Sequence, residues 1–323
     1  MRLLGLLAVL LTGCTTQTVK LDAVPSSHSA PVLNSTPHRL QALLPQAPVG
    51  EVLRVYLEGD GHAWATPSSP SLDPTPHSPL VVQLALQDTR PAAYVARPCQ
   101  FVSEPSCHPR LWTRERFAQP ALASLLSALD QLKALTGAQQ LELIGYSGGA
   151  TMALLAAAQR DDVLVVQTLA GNLDPSAWTT LLRLSPLEGL TPLDFRQRLA
   201  QIPQRHLIGL QDRVLPPELA HGYATKLAGR CVQVIEVDAT HQQGWPQAWV
   251  AWQQQPVLCP SASAARALCA ERDTRRGCSP STPELSAEAA KDARVLSTDD
   301  SLRAKHGTLC MSVAECSPVI TRD

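Results

Sequence analysis

Ser147 lies in the sequence Gly-Tyr-Ser-Gly-Gly, residues 145–149, where one predicted element gives way to another. The preceding residues, 141–144, are an apolar run typical of a buried strand, and residues 150–158 are strong helix formers. A serine in so sharp a turn takes a strained backbone conformation, and glycines beside it leave the necessary space. Its hydroxyl then stands clear of the sheet, and the N-terminus of the next helix faces any oxyanion that forms. The pattern predicts a nucleophilic serine, whereas an ordinary loop is the alternative for so short a motif.

A serine hydroxyl is a weak nucleophile at neutral pH. It needs a base to accept its proton and a carboxylate to orient that base. Motifs for other catalytic groups do not occur: the sequence has no C-x-x-C pair, no H-E-x-x-H and no G-x-G-x-x-G. We therefore expect no metal ion and no cofactor.

Strand and helix patterns alternate along most of the chain. Near-continuous apolar runs indicate strands that are buried on both faces. The strand runs are 52–57, 92–96, 141–144, 163–169, 206–210 and 232–237, and the main helical runs are 80–86, 112–135, 150–158 and 245–252. This alternation predicts an α/β fold with a mostly parallel central sheet of five or six core strands, flanked by helices.

The Gly-Tyr-Ser-Gly-Gly turn and the alternating elements over about residues 50–256 resemble the α/β-hydrolase superfamily, in particular bacterial lipoprotein-type serine hydrolases with this nucleophile elbow. The resemblance implies the α/β-hydrolase fold with a small cap or lid insertion. It also implies a catalytic order along the chain of serine, acid and histidine. The resemblance indicates the catalytic groups and does not indicate the substrate.

The resemblance points to an acid and a base in that order. Asp212 is the candidate acid, because it follows the strand run 206–210 and precedes an apolar residue and Pro216; capping of the next helix is its alternative role. Asp174, after the preceding strand, is the alternative acid, although a turn role is favoured there. His241 is the candidate base, since it follows the last strand by a few residues.

An oxyanion hole requires two backbone N–H groups that point at the same oxygen. The first is expected from Gly148, directly after the serine. The second is expected from the loop 58–64, where related lipases and esterases carry an HGGG-type loop. This loop departs from that pattern, so the donor is either Asp60 or Gly61. The Asp60 side chain either orients the loop or has a plain turn role.

Substrate specificity is expected from loops at the same edge of the sheet. Trp64 and the Pro-rich loop 66–79 after it are candidates for the pocket wall. The insertion 175–204, which contains Trp178, is a candidate lid, and ordinary packing of its apolar residues is the alternative.

The N-terminus has the pattern of a targeting signal. A short apolar run after Arg2 ends in Leu-Thr-Gly-Cys at Cys14, which resembles a bacterial lipobox in which the cysteine is acylated. An ordinary signal peptide is the alternative. Residues 15–49, rich in Pro, Ser and Thr, are predicted to be a tether that leads into a first weak strand or loop. No Asp follows Cys14, and by resemblance to lipoprotein sorting this favours the outer membrane, facing the periplasm.

The formal net charge of -1 gives no indication of a nucleic-acid partner. Nine cysteines occur, and an even number is left once Cys14 is set aside, as expected for disulfides in an oxidising compartment. Two pairs are predicted, Cys99 with Cys107 and Cys231 with Cys259. Residues 259–323 are expected to be a loosely ordered, cysteine-containing tail beyond the domain 50–258.

We therefore expect a membrane-anchored periplasmic serine hydrolase that acts on small ester or acyl substrates, most simply a carboxylesterase or lipase-like enzyme. A thioesterase or a serine peptidase would use the same three residues. A binding lipoprotein of the same fold without catalysis is the alternative from another class. The oligomeric state is open.

Overall fold

The computed structural model describes residues 21, 24–229, 231–257 and 259. The predicted lipidation of Cys14 and the predicted tail beyond Cys259 therefore lie outside the described residues. In the part that is described, no helix has the length and apolar character needed to cross a membrane.

Nine strands of the described residues form one sheet, and two more form a small separate hairpin. The strands are β1 (His28–Ser29), β2 (Val32–Leu33), β3 (Leu40–Pro45), β4 (Val52–Leu57), β5 (Trp64–Thr66), β6 (Ser69–Pro70), β7 (Ala92–Val95), β8 (Gln140–Tyr146), β9 (Val163–Leu169), β10 (Gln204–Gly209) and β11 (Val232–Val237). The order across the sheet is β1-β3-β7-β4-β8-β9-β10-β11, with β2 beside β3. From β7 to β11 every neighbouring pair is parallel, whereas β3 is antiparallel to β7.

Helices connect the parallel strands, because parallel neighbours need a crossover connection. They are α1 (Leu80–Leu86), α2 (Gln119–Thr136), α3 (Gly148–Ala158), α4 (Pro175–Leu181), α5 (Arg196–Leu199), α6 (Pro217–Leu227) and α7 (Trp245–Trp252). Short 3-10 turns lie at Pro109–Trp112 and Pro192–Phe195. Helix α2 begins later than the predicted 112–135, because Trp112 ends a 3-10 turn and its indole N–H donates to the Ser71 carbonyl.

The sheet separates two apolar cores. On β4, Leu53, Val55 and Leu57 belong to the core formed with α2, α3 and α6. Tyr56 points the other way, into the core formed with α1 and α7. Alternate side chains of one strand thus face opposite helix layers, so the strand is buried on both faces. This mostly parallel sheet with helices on both faces confirms the predicted α/β fold class.

The structure corrects the expectation that residues 15–49 form a tether. Strands β1, β2 and β3 lie in this segment and belong to the same sheet as the rest of the domain, so the fold begins before residue 50. Strand β3 is almost entirely buried and pairs with β7 through Ala42 and Leu43. Its short apolar run is surrounded by Pro and Ser, so the composition of the whole segment conceals the strand.

The predicted lid 175–204 divides into two parts with different surroundings. Leu187 and Leu190 pack against the core, beside the buried Leu199 and Ile202, so the second half has the alternative role of ordinary packing. The first half is α4 and the turn after it, which carries exposed leucines. The segment 66–79, predicted to be a Pro-rich loop, also contains a short strand. This strand is β6, which pairs with β5.

Candidate active site

Ser147 forms the turn between β8 and α3. Its φ of 52° and ψ of -121° lie in a region that side chains rarely adopt. A Cβ on Gly145 would lie 2.5 Å from the Ala150 Cα, and one on Gly149 would lie 2.4 Å from the Leu57 carbonyl oxygen. Only glycine fits at either position, because α3 starts so close to the ends of β8 and β4. The sequence motif therefore forms the sharp turn that it predicts.

His241 lies four residues after β11 and reaches the serine. Its Nε2 is 3.1 Å from the Ser147 Oγ. Its carbonyl accepts hydrogen bonds from the Tyr146 hydroxyl at 2.7 Å and from the Trp245 indole N–H at 2.9 Å. Burial raises the pKa of Tyr146 well above its usual value, so this hydroxyl keeps its proton and donates. Two aromatic side chains thus hold the loop that carries His241.

Asp212 lies beyond the end of β10 and contacts the other side of the imidazole. Its Oδ2 is 2.8 Å from the His241 Nδ1, and its side chain is fully buried. Its Oδ1 accepts the backbone N–H groups of Val214 and Leu215, each at 2.8 Å. A carboxylate only accepts hydrogen bonds, so the Nδ1 of His241 carries the proton and Nε2 faces the serine hydroxyl as an acceptor.

Asp174, the alternative acid, has other partners. Its Oδ1 accepts the Ala177 N–H at 3.0 Å and thereby caps α4. Its Oδ2 lies 2.7 Å from the Lys226 Nζ. The structure brings Asp212, and not Asp174, to His241.

The loop after β4 passes over the serine turn. A Cβ on Gly59 would lie 3.3 Å from the Ser147 Cβ, and the Asp60 carboxylate packs directly on Gly148. Gly61 faces away from the serine, since a Cβ there would lie 2.1 Å from the Pro74 carbonyl oxygen. Gly148 is the first residue of α3, where N–H groups have no partner within the helix. Of the two alternatives for the second donor, Asp60 is the residue whose side chain contacts Gly148.

Two buried arginines hold the Asp60 carboxylate. Arg97 Nη1 is 3.4 Å from Oδ1, and Arg116 Nη1 is 2.5 Å from Oδ2. Arg97 also donates to the Arg116 carbonyl. Burial lowers the pKa of Arg97 to about 10, so its guanidinium group is still charged at neutral pH. The Asp60 side chain therefore orients the loop, which was one of its two predicted roles.

A disulfide-closed loop supports the same segment. The Sγ atoms of Cys99 and Cys107 are 2.11 Å apart. Inside this loop, the Gln100 side chain accepts the Arg97 N–H at 2.9 Å and donates to the Gly59 carbonyl at 3.1 Å. The second predicted pair, Cys231 and Cys259, also lies at bonding distance, with 2.10 Å between the sulfur atoms.

Glu58, for which the sequence offered no role, is a buried acid beneath the loop. Its Oε1 accepts the Gly59 N–H at 2.9 Å, and its Oε2 accepts the Tyr94 hydroxyl at 2.9 Å. Burial raises the pKa of Glu58 to about 7. The charge of this carboxyl thus changes near neutral pH, next to the backbone that lies over Ser147.

The two tryptophans predicted at the pocket have different positions. Trp64 lies in the exposed hairpin of β5 and β6. Trp178, on α4, donates its indole N–H to the Val214 carbonyl at 2.8 Å and so contacts the loop of Asp212. Among the described residues, no group of three or more His, Cys, Asp or Glu side chains has an arrangement that would hold a metal ion.

No protein-family model matches the chain, and no curated protein matches it in sequence. Solved structures do match. An esterase from Pyrococcus furiosus aligns with 69% of this chain and 89% of its own, at 11% identity and a TM-score of 0.51. An acylaminoacyl peptidase from Pyrococcus horikoshii aligns with 69% of this chain and 39% of its own, at 15% identity and a TM-score of 0.50. Together with the strand order and the serine turn, these likenesses show that the chain has the α/β-hydrolase fold.

Proposed function

We propose that this protein is a serine hydrolase that works through an acyl-enzyme. The observation that carries the proposal is the continuous hydrogen-bonded series from the Ser147 hydroxyl through His241 to the buried Asp212. An activated serine needs a base within hydrogen-bond reach and a third group that orients the base. Both requirements are met here, the first at 3.1 Å and the second at 2.8 Å.

The reaction begins when the Ser147 Oγ attacks the carbonyl carbon of the substrate while its proton moves to the His241 Nε2. Asp212 stabilises the imidazolium that forms, since its carboxylate accepts the Nδ1–H. When the carbonyl re-forms, the bond to the leaving group breaks and the His241 Nε2–H protonates that group. Water then attacks the acyl-serine by the same route, which releases the acid and restores the serine hydroxyl.

The negative charge on the tetrahedral oxygen is stabilised by two backbone N–H groups. We assign these to Gly148 and Asp60, because the Asp60 side chain packs on Gly148 whereas Gly61 faces Pro74. The carboxylate of Asp60 alone would oppose an oxyanion nearby. Arg97 and Arg116 form ion pairs with this carboxylate and offset its negative charge.

We propose carboxylic esters as the substrate class. The esterase among the similar structures supports this, and the acylaminoacyl peptidase keeps peptides as the second candidate. Thioesters would react by the same steps. We further propose that the enzyme is anchored by an acylated Cys14 at the outer membrane and faces the periplasm. The two disulfides support an oxidising compartment.

A fluorophosphonate probe tests the hydrolase proposal, because it reacts with activated serines. The chain from residue 15 onward is expected to be labelled, and its Ser147→Ala variant is not. Ser68→Ala, at the exposed hairpin turn, is the matched control and keeps the labelling. A folded parent that is not labelled would favour the non-catalytic binding protein. A panel of an ester, a thioester and a peptide then separates the substrate classes.

A further inference from the structure

One face of α4 and the turn after it expose large apolar side chains to solvent. Trp178, Leu181 and Leu182 are spaced so that they share one helix face. Leu181, Leu182 and Leu184 are 45%, 36% and 46% exposed. Leu187, a few residues later, packs against the core instead. The exposure is therefore a property of this segment and not of the whole insertion.

The same surface continues onto the loop of the catalytic acid. The indole N–H of Trp178 donates to the Val214 carbonyl, and the Val214 side chain is 44% exposed. The Val214 N–H in turn donates to Asp212. We call Trp178, Leu181, Leu182, Leu184 and Val214 the apolar rim. It borders the active site on the side of Asp212 and His241, at the edge of the sheet where the parallel strands end. Contiguous exposed apolar surface beside a site indicates something that covers it.

Positive charges are interleaved with the apolar rim. Arg183 lies between Leu182 and Leu184, and Arg213 precedes Val214. Both arginines are exposed, and in the part of the chain that the structure describes neither makes an ion pair. The acids closest in sequence are already engaged, Asp212 with His241 and Glu188 with Arg110 and Arg114. Exposed apolar side chains next to free basic ones are typical of surfaces that bind anionic bilayers.

We infer that the apolar rim docks on an anionic phospholipid bilayer and that the substrates are esters presented by that bilayer. This inference rests on the proposed function, which supplies the chemistry at Ser147. The leucines and Val214 enter the interfacial layer of the bilayer, and Arg183 and Arg213 contact lipid phosphates. Because the apolar rim borders the Asp212 side of the site, docking places Ser147 against the lipid surface. The ester then reaches the nucleophile without crossing water.

Binding is tested apart from catalysis and apart from any anchor. The Ser147→Ala chain from residue 15 onward is sedimented with phosphatidylcholine vesicles that either contain or lack phosphatidylglycerol. We expect it to bind the anionic vesicles and to bind the neutral ones more weakly. The double variant Leu181→Asp, Leu184→Asp is expected to bind at least about tenfold more weakly, because two leucines that would enter the bilayer are replaced by charged side chains. Leu135→Asp, at the exposed end of α2, is the matched control and binds like the parent.

Arg183→Gln and Arg213→Gln separate the charge contribution from the apolar one. Each is expected to weaken binding to anionic vesicles about fivefold and to leave binding to neutral vesicles unchanged. Thermal unfolding of every variant establishes that it is folded. Three results would overturn the inference: a parent that does not sediment with anionic vesicles, equal binding by the leucine double variant, or a dimer in sedimentation equilibrium that this variant dissociates. Fluorophosphonate labelling of the chain that retains Ser147, measured in solution, is independent of all three, so the inference can fail while the hydrolase proposal stands.

Discussion

The carboxylate of Asp60 occupies the space that a Cβ atom on residue 148 would need. Asp60 Oδ1 lies 2.1 Å from the ideal Cβ position of Gly148, which is too short for two non-bonded heavy atoms. Gly148 follows Ser147 and begins α3, so this contact joins the loop after β4 to the start of the helix that follows Ser147. The Asp60 carboxylate, and not only the sharp turn, therefore leaves no room for a side chain at position 148.

Gly148→Ala is expected to displace Asp60 and to lower kcat by up to about 10²-fold, since the second oxyanion donor moves with it. Ester hydrolysis under saturating substrate measures this. Gly222→Ala is the matched control, because a Cβ there meets nothing within 4 Å. That control is expected to keep full activity and to stabilise α6 by about 0.5–1 kcal/mol. Equal activity of Gly148→Ala and the parent would contradict the assignment of Asp60.

Asp60→Asn keeps the shape of the side chain and removes its charge. Arg97 and Arg116 then lose their carboxylate while buried, so we expect the free energy of unfolding to fall by about 1–3 kcal/mol. The Asp60 N–H is held less firmly, and kcat falls with little change in KM because the oxyanion exists only after attack. Urea unfolding and steady-state kinetics measure the two effects. A rise in KM alone would instead place Asp60 in ground-state binding.

Asp212→Asn tests the orientation of the base. The asparagine amide donates to the His241 Nδ1, which forces the imidazole proton onto Nε2, and Nε2 can no longer accept from Ser147. We expect kcat to fall about 10⁴-fold without unfolding the protein. Asp174→Asn is the matched control. Its amide oxygen still caps α4, so it keeps activity and loses only the ion pair with the half-exposed Lys226, about 1 kcal/mol of stability or less. If instead Asp174→Asn abolished activity and Asp212→Asn did not, the assignment of the acid would be reversed.

Glu58 makes stability depend on pH with a definite sign. Its pKa is raised from 4.5 to about 7 in the folded protein, so between these values the native state binds more protons than the unfolded state. The free energy of unfolding therefore falls as pH rises through this window, by at most about 3 kcal/mol for this group. Glu58→Gln is expected to remove that fall and to be the more stable protein above pH 7. Urea unfolding at both ends of the window measures it.

Glu51→Gln, an exposed substitution just before β4, is the control for the Glu58 experiment. It is expected to leave the pH dependence of unfolding as it is in the parent. If Glu58→Gln also left it unchanged, the fall in stability would arise from another group.

The sequence by itself determined the elements and their class. The strand before Ser147, the glycine turn and the helix after it depend on neighbours within a few residues, so local pattern was sufficient to predict them. Once the resemblance supplied the order of serine, acid and histidine, Asp212 and His241 followed from their positions after strands. Strand β3 was anticipated only as a weak strand or loop at the end of a tether, because its short apolar run lies within Pro-rich surroundings.

Only the tertiary structure decided how the site is supported. Asp60 meets Arg97 and Arg116, Glu58 meets Tyr94, and Tyr146 meets the His241 carbonyl, all between segments far apart in sequence. Such pairs depend on which strands become neighbours in the sheet and on which side chains are buried next to each other. The hydrophobic periodicity of the sequence does not predict either of these. The choice between Asp60 and Gly61, and between Asp212 and Asp174, likewise depends on the direction in which each backbone turns after its strand.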